Sequence, residues 1–200
     1  MHAAAHGFVE WLRFGSGVIR DGSYHPERLA DEIPAWKDTP WAGWSYFVNS
    51  RVLEVGSFDI NGSVRDLFER STFFGVDRND GSNVDTVGWF HLWAAEHLKR
   101  LALLRMQPHY DVVFSTECLE HDPHAELTVK AMIDCCAKGG LIFLTCAGPG
   151  REVHCLETTG HYKNITRQEL EQWFADKGET VSVMENSVDH DLYAWCVKAV

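Results

Sequence analysis

The stretch Arg51-Val52-Leu53-Glu54-Val55-Gly56-Ser57-Phe58-Asp59-Ile60-Asn61-Gly62-Ser63-Val64 decides how the chain folds. Val52, Leu53 and Val55 suit a buried parallel strand, which reads as a short apolar run. Gly56 lets the backbone turn tightly and come close to a ligand. Asn61, Gly62 and Ser63 can cap a helix, and Val64, Leu67 and Phe68 repeat at helical spacing. The expectation is a strand over about 51–56 and a helix over about 62–71. Strand, turn and helix in that order make a nucleotide-sized pocket at the carboxyl end of the strand.

The alternation continues downstream. Phe73-Phe74-Gly75-Val76-Asp77 is a second strand closed by an acid, and 83–87 is a third. Residues 92–106 read as a helix with a stripe of Leu92, Ala95, Leu98, Ala102 and Met106, Leu101 lying at its edge. Tyr110–Ser115 is a strand. Asp122-Pro123 opens a helix with Leu127, Ala131, Met132 and Cys135 on its face, which Lys138-Gly139-Gly140 ends. Leu141–Cys146 is a strand apolar enough to be buried on both faces. Thr166 and Glu169 form a capping box ahead of Leu170, Trp173 and Phe174. The tail, 179–186 and 191–199, alternates around Asp189-His190-Asp191 as an antiparallel hairpin with a solvated turn. This is an α/β chain with a doubly wound, mixed sheet and helices on both faces. Residues 1–50 form an N-terminal helix (about 4–14) and a Trp- and Pro-rich segment that caps the sheet or covers the pocket; 51–200 is the ligand-binding domain.

Two hundred residues suffice for one large core. The formal charge of −11 argues against bulk attraction to nucleic acid, without excluding a local basic groove. No apolar run approaches the roughly 20 residues of a membrane span, and residues 1–17 lack the pattern of a secretory signal. A cytoplasmic protein is expected. The six cysteines include no Cys-x-x-Cys pair and read as free thiols in the core.

The first strand ends at Glu54-Val55-Gly56, the second at Asp77, about 20 residues on. At that spacing an acid meets ribose hydroxyls, accepting from both. The turn lacks GxGxxG, and its Asp59 would repel a pyrophosphate. A ribose-bearing ligand without phosphate fits better, which disfavours a nucleotide-dependent oxidoreductase.

Five motifs in order resemble the class I S-adenosylmethionine (SAM)-dependent methyltransferases, over about residues 50–200. They are Glu54 to Gly62, with Phe58 and Ile60 in place of two glycines; Gly75-Val76-Asp77; Asp111 to His121; Lys138 to Phe143; and His161 to Thr166 with the terminal hairpin. The resemblance implies a Rossmann-like fold, SAM as cofactor and methyl transfer. It places Gly56 and Ser57 against the methionine part, with Glu54, Asp59 and Asn61 in the same turn. Asp77 would hold the ribose, Arg78 and Trp89 would flank the adenine, and Ser115 and Glu117 would line the sulfonium side.

In-line attack on the methyl needs positioning and, for a protonated nucleophile, a base. His121, His154 and Tyr162 are the candidates, with His161 beside them. His121-Asp122-Pro123-His124, with Glu117 and Glu120, offers metal-type donors, but nothing completes a four-ligand set, so no metal is expected. The acceptor is expected to be a small molecule or a defined group on a larger partner, with nucleic acid disfavoured and no membrane. The alternative is a catalytically silent SAM- or S-adenosylhomocysteine-binding module, motivated by Phe58 and Ile60.

Overall fold

The computed structural model describes residues 3–14, 43–60, 62–155, 160–186 and 188–200. They fall into two compact units. One comprises Met1–Ser50 and Ile60–Ser71, the other Arg51–Asp59 and Thr72–Val200.

The larger unit is built on a seven-stranded sheet. Its strands are β1 (Arg51–Val55), β2 (Thr72–Asp77), β3 (Thr86–Val87), β4 (Tyr110–Thr116), β5 (Cys136–Ala147), β6 (Ser182–Glu185) and β7 (Asp191–Val197). Their order is β3-β2-β1-β4-β5-β7-β6. The first five run parallel; β7 pairs antiparallel to β5 and β6. The strand order reverses between β1 and β4, and the crevice beyond their carboxyl ends is where ligands bind in such sheets. The carboxyl edge is set by register: Val55 lies beside Val76 on one side and Ser115 on the other.

Alternation along the strands divides the sheet residues between two faces. Leu53, Val55, Val113, Ile142, Leu144, Ala194 and Cys196 belong to one core, with residues of helices α2 (Phe90–Leu103), α3 (Ala125–Cys135) and α4 (Arg167–Ala175). Val52, Val112, Phe114, Leu141, Phe143 and Tyr193 carry the other side of the alternation and are wholly buried.

Tertiary packing moved several expected elements. In α2 the buried residues are Phe90, Ala94 and Leu101, while Leu92 is 58% exposed and Met106, past the helix end, is 50% exposed. The true stripe runs i, i+4, i+11 from an aromatic the sequence reading placed before the helix. In α3, Val129, Met132 and Ile133 are buried and Leu127 is exposed. Helix α3 begins at Ala125 rather than at Asp122-Pro123. Asp122 still organises that end, accepting from the His124 amide (2.8 Å) and the Thr128 hydroxyl (2.5 Å). The helix ends at Cys135, not at the glycines, because Gly139 and Gly140 exchange backbone hydrogen bonds with Lys198 and so extend β5. The Lys198 ammonium donates to the carbonyls of Ile133 and Cys136, a cation on the negative end of α3. The capping box forms as expected: Thr166 accepts from the Glu169 amide while the Glu169 carboxylate accepts from the Thr166 amide.

The smaller unit holds α1 (Ala3–Phe14), a 3-10 turn at Gly43–Phe47 and residues 62–71. The helix expected over 62–71 is a single 3-10 turn at Arg65–Leu67. The Glu69 amide donates to Phe47 and the Glu69 carbonyl accepts from Asn49, so a one-residue parallel bridge takes the groups a helix would have used. Val64, Leu67 and Phe68 are buried nonetheless, with Phe68 against Phe47 (centroids 4.6 Å). Arg13 bridges to the Leu67 carbonyl (2.6 Å) and to Glu69. Most of the Trp- and Pro-rich segment, including Trp36 and Trp41, lies outside the described residues.

A pH dependence follows from α2. His97 stacks on Trp93 and lies 5.6 Å from the His109 ring, near Tyr110. Burial lowers its pKa, helped by the charges of His109 and Arg100. The unfolded histidine titrates near 6.5, so between that value and the lower folded one only the unfolded chain takes the proton. Stability is therefore expected to fall as pH drops below about 6.5. Urea midpoints at about pH 8 and pH 5.5 should differ less in His97→Gln than in the parent; equal differences would remove His97 from the account.

Candidate functional site

Gly56, at φ +73°, ends β1 and donates its amide to the Val76 carbonyl (2.9 Å), tying the turn to β2. A Cβ here would lie 2.3 Å from Cys118 Sγ, so only glycine lets the segment after β4 approach so closely. Gly75 is equally confined: its Cβ would meet the Asn83 carbonyl at 2.0 Å and Ser57 Oγ at 2.6 Å.

Asp77 closes β2. Its carboxylate accepts from the Phe58 amide (3.1 Å) and the Asn79 amide (2.7 Å). Two backbone donors fix its orientation; Asn79 Nδ2 adds a longer bond to the same Oδ1 (3.4 Å), and Oδ2 keeps a lone pair for a further donor. Glu54 is buried in β1, and the Asp59 amide donates to Ser82. The Arg78 guanidinium sits 5.2 Å over the Trp89 ring, just before α2. Ser115 and Ser57 are buried. Glu117 follows β4 at φ +51° with its amide on the Thr145 carbonyl. The nine of the ten expected cofactor-side residues that are described thus lie in β1, β2, β4 or the segments that follow β1–β4; Asn61 lies outside the described residues. Of the two glycine replacements, Phe58 packs its ring on Gly81, whose Cβ would be 2.2 Å from it, while its amide orients Asp77. Ile60 is exposed.

The donor set suits a ribose-bearing, cationic, phosphate-free ligand. Ser57 Oγ and both Glu117 oxygens are buried without a hydrogen-bond partner among the described residues. A buried, unpartnered carboxylate is costly until a cation or donor reaches it. An ammonium group meets that need; a phosphate beside Glu54, Asp77 and Glu117 would be repelled.

A second group forms after β4 and β5. The His121, His154 and Tyr162 rings meet edge to face, with centroids 5.0–5.4 Å apart. His121 Nδ1 lies 3.4 Å from the His161 carbonyl and His154 Nδ1 lies 3.1 Å from the Glu152 carbonyl. The Tyr162 hydroxyl donates to the same Glu152 carbonyl (3.2 Å). Burial lowers the His121 pKa, and the His154 charge adds to this against the raising effect of the His161 carbonyl. Burial and then Glu120 push the Tyr162 phenol up to about 12, so it acts as a donor. His124, offered by the sequence as a companion of His121, turns instead to Trp89 and His91.

The sequence reading missed how deeply the acids here are buried. Glu120 is fully buried, and burial followed by Glu117 raises its pKa to about 8. Asp191, expected in a solvated turn, opens β7 at 0% exposure, 3.5 Å from Arg151 Nη1. Burial and then Glu117 raise it to about 7. The available signal was the apolar run that Asp191 opens, Leu192 to Val197. Four cysteines are buried thiols as expected, but Cys118 is half-buried and Cys155 exposed. An open cavity of about 220 Å³, lined by Arg51, Thr72, Phe74, His109 and Tyr110, lies at the opposite, amino end of the strands. Binding crevices in such sheets form instead at the carboxyl ends.

Residues 26–181 match the family described as a methyltransferase domain. No curated protein sequence matches the chain. Among solved structures, a chain from the complex of the Haloferax volcanii Trm112 methyltransferase activator with its partner superposes at TM-score 0.54 and 15% identity, covering 96% of this chain and 98% of that one. An O-methyltransferase family protein from Burkholderia thailandensis gives 0.53 at 15% identity, covering 75% and 51%. Haemonchus contortus phosphoethanolamine N-methyltransferase 2, solved with S-adenosyl-L-methionine, gives 0.53 at 15% identity, covering 99% and 57%. The chain thus spans only about half the length of the last two. At these identities the likeness concerns the fold. Among the described residues no helix is long and apolar enough to cross a membrane.

Proposed function

We propose that this chain, which belongs to the methyltransferase domain family, acts as a class I SAM-dependent methyltransferase on a heteroatom of a small molecule. The observation that carries this reading is the junction of two groups beyond the same strand ends: Asp77, Ser57 and Glu117 on one side, His121, His154 and Tyr162 on the other. Bound SAM supplies an electrophilic methyl on a sulfonium. Asp77 accepts from the ribose hydroxyls, and Glu117 faces the cationic end, with Glu54, Ser57, Asp59 and Ser115 beside it. Arg78 and Trp89 flank the adenine. Tyr162 turns its one hydroxyl hydrogen from the Glu152 carbonyl to the acceptor and orients it, while a neutral imidazole of the histidine pair takes the acceptor's proton.

An acceptor small enough to enter between loops agrees with the chain's charge of −11, which opposes polyanions. The buried thiols of Cys135, Cys136, Cys146 and Cys196, none of them in a disulfide, support a reducing, cytoplasmic setting. Phe58 favours turnover over the silent-module reading, because its backbone serves Asp77 and its ring packs on Gly81.

The test is product formation from methyl-labelled SAM with a panel of small hydroxy, amino and thiol compounds. Tyr162→Phe is expected to lower kcat about tenfold, one lost hydrogen bond, with S-adenosylhomocysteine affinity unchanged. No labelled product with any acceptor, beside intact S-adenosylhomocysteine binding, would favour the silent module. An unchanged kcat in Tyr162→Phe would place the acceptor elsewhere.

A further inference from the structure

We infer that Glu120, His121 and His154 form a binding site for one divalent first-row transition-metal ion of the zinc class. One ligand atom from each lies within 4.8 Å of the others. Two of the three come from consecutive residues of the 3-10 turn after β4. The third arrives 33 positions later on the loop after β5, which is why no local spacing announced the set.

Three independent features point to a cation. The Glu120 side chain is fully buried, its carboxylate lies near the amides of Glu120 and Ala147, and neither oxygen makes a hydrogen bond of full geometry among the described residues. An ionised carboxylate so placed is destabilising unless a cation or a proton compensates it. The histidine tautomers are also set. Nδ1 of His121 faces the His161 carbonyl and Nδ1 of His154 faces the Glu152 carbonyl; a carbonyl only accepts, so each Nδ1 carries the hydrogen. An imidazole protonated at Nδ1 has its lone pair on Nε2, the tautomer that backbone carbonyls impose on metal-ligating imidazoles. Finally, the carboxylates of half-buried Glu117 and buried Asp191, the latter 3.5 Å from Arg151 Nη1, have no hydrogen-bond partner among the described residues and add negative potential around the set.

The donors choose the ion. Two imidazoles and one carboxylate suit zinc, iron or cobalt, whereas magnesium and calcium prefer all-oxygen shells. Metal–ligand bonds of about 2.0–2.2 Å require donor separations near 3.3 Å, so the three atoms need to close by about 1.5 Å. The loop bearing His154 and the Tyr162 segment are joined through Glu152, so that closure would carry Tyr162 with it. Three protein ligands leave a coordination position open, as in metal sites that bind or activate a substrate oxygen. That an acceptor occupies this position rests on the reading of methyl transfer given above, and there the ion would replace the imidazole base, since metal-held imidazoles keep no lone pair for a proton while the ion would lower the pKa of the acceptor; the binding of the ion does not rest on that reading.

The test uses the full chain stripped with a chelator, in a Cys155→Ser background so that the exposed thiol adds no adventitious ligand. Zinc is titrated in competition with a chromophoric chelator, and cobalt(II) serves as a spectroscopic probe of the ligand field. One zinc per chain is expected, with a tetrahedral-type cobalt spectrum. Glu120→Gln and His154→Ala should each weaken zinc at least 10- to 100-fold. Glu120→Gln keeps the shape while deleting a buried charge, so it is expected to remain folded. S-adenosylhomocysteine is titrated in parallel. A chain that binds this nucleoside but takes no stoichiometric zinc at micromolar concentration overturns the inference and leaves the methyltransferase reading intact. Equal zinc affinity in the parent and both variants also overturns it.

Discussion

Replacing Asp77 by alanine is expected to weaken S-adenosylhomocysteine binding by roughly 100-fold, because two hydrogen bonds to a charged acceptor are lost at about 1.5 kcal/mol each. The effect has a second source. The carboxylate also accepts from the Phe58 and Asn79 amides, so its removal releases the turn after β1 from the end of β2. Asp77→Asn separates the two. The amide oxygen still accepts from one backbone donor, but the charge and half of the accepting capacity are gone. An intermediate loss is expected for Asn, about tenfold. Isothermal titration calorimetry reads both variants directly. Affinity unchanged in Asp77→Ala would place the ribose away from β2 and undo the assignment of the whole cofactor side.

Phe143→Ala is expected to cost 3–5 kcal/mol, the range for truncating a large buried aromatic. Phe143 sits at the middle of β5 at 0% exposure, opposite Phe114 on β4 and Trp195 on β7. Its ring is parallel to that of Phe114, with centroids 4.9 Å apart and planes 1° from coplanar orientation. Truncation leaves a cavity between three strands that the sheet cannot close, because each neighbour is held by ladder hydrogen bonds on both sides. For a chain of this length, each kcal/mol shifts the melting temperature by about 2–4 °C, so a loss of about 10 °C is anticipated. Thermal melting followed by circular dichroism is the measurement. A shift under about 3 °C would mean that the core repacks around the cavity.

The Glu120 site and the Tyr162 assignment probe a different layer. Neither reports on the scaffold, whereas Asp77 and Phe143 do. A chain that keeps its melting temperature and its nucleoside affinity yet loses zinc or turnover has failed only at the loops after β4 and β5.

Composition and order of residues determined the framework of this protein. Period-2 and continuous apolar runs placed every strand from β1 to β7, because a buried strand needs apolar residues and little else. Glu54-Val55-Gly56 and Gly75-Val76-Asp77 marked the carboxyl ends of β1 and β2, since a tight turn and a strand-closing acid are local features carried by nearby residues. The Thr166–Glu169 capping box was legible for the same reason. What depended on distant partners was decided by the tertiary structure. Residues 62–71 have helical spacing, but Glu69 pairs with Phe47 and Asn49 instead. The face of α2 is chosen by its neighbours, Phe90 and Ala94 over Leu92, although Leu92 is larger and more apolar than Ala94. Asp191 is charged and would stand in water alone; the apolar strand it opens and the nearby Arg151 bury it. The gathering of Glu120 and His121 with His154 and Tyr162 belongs to the same class. Spacing along a chain reports which residues share an element, while the loops that close over a sheet end bring together residues whose separation carries no period at all.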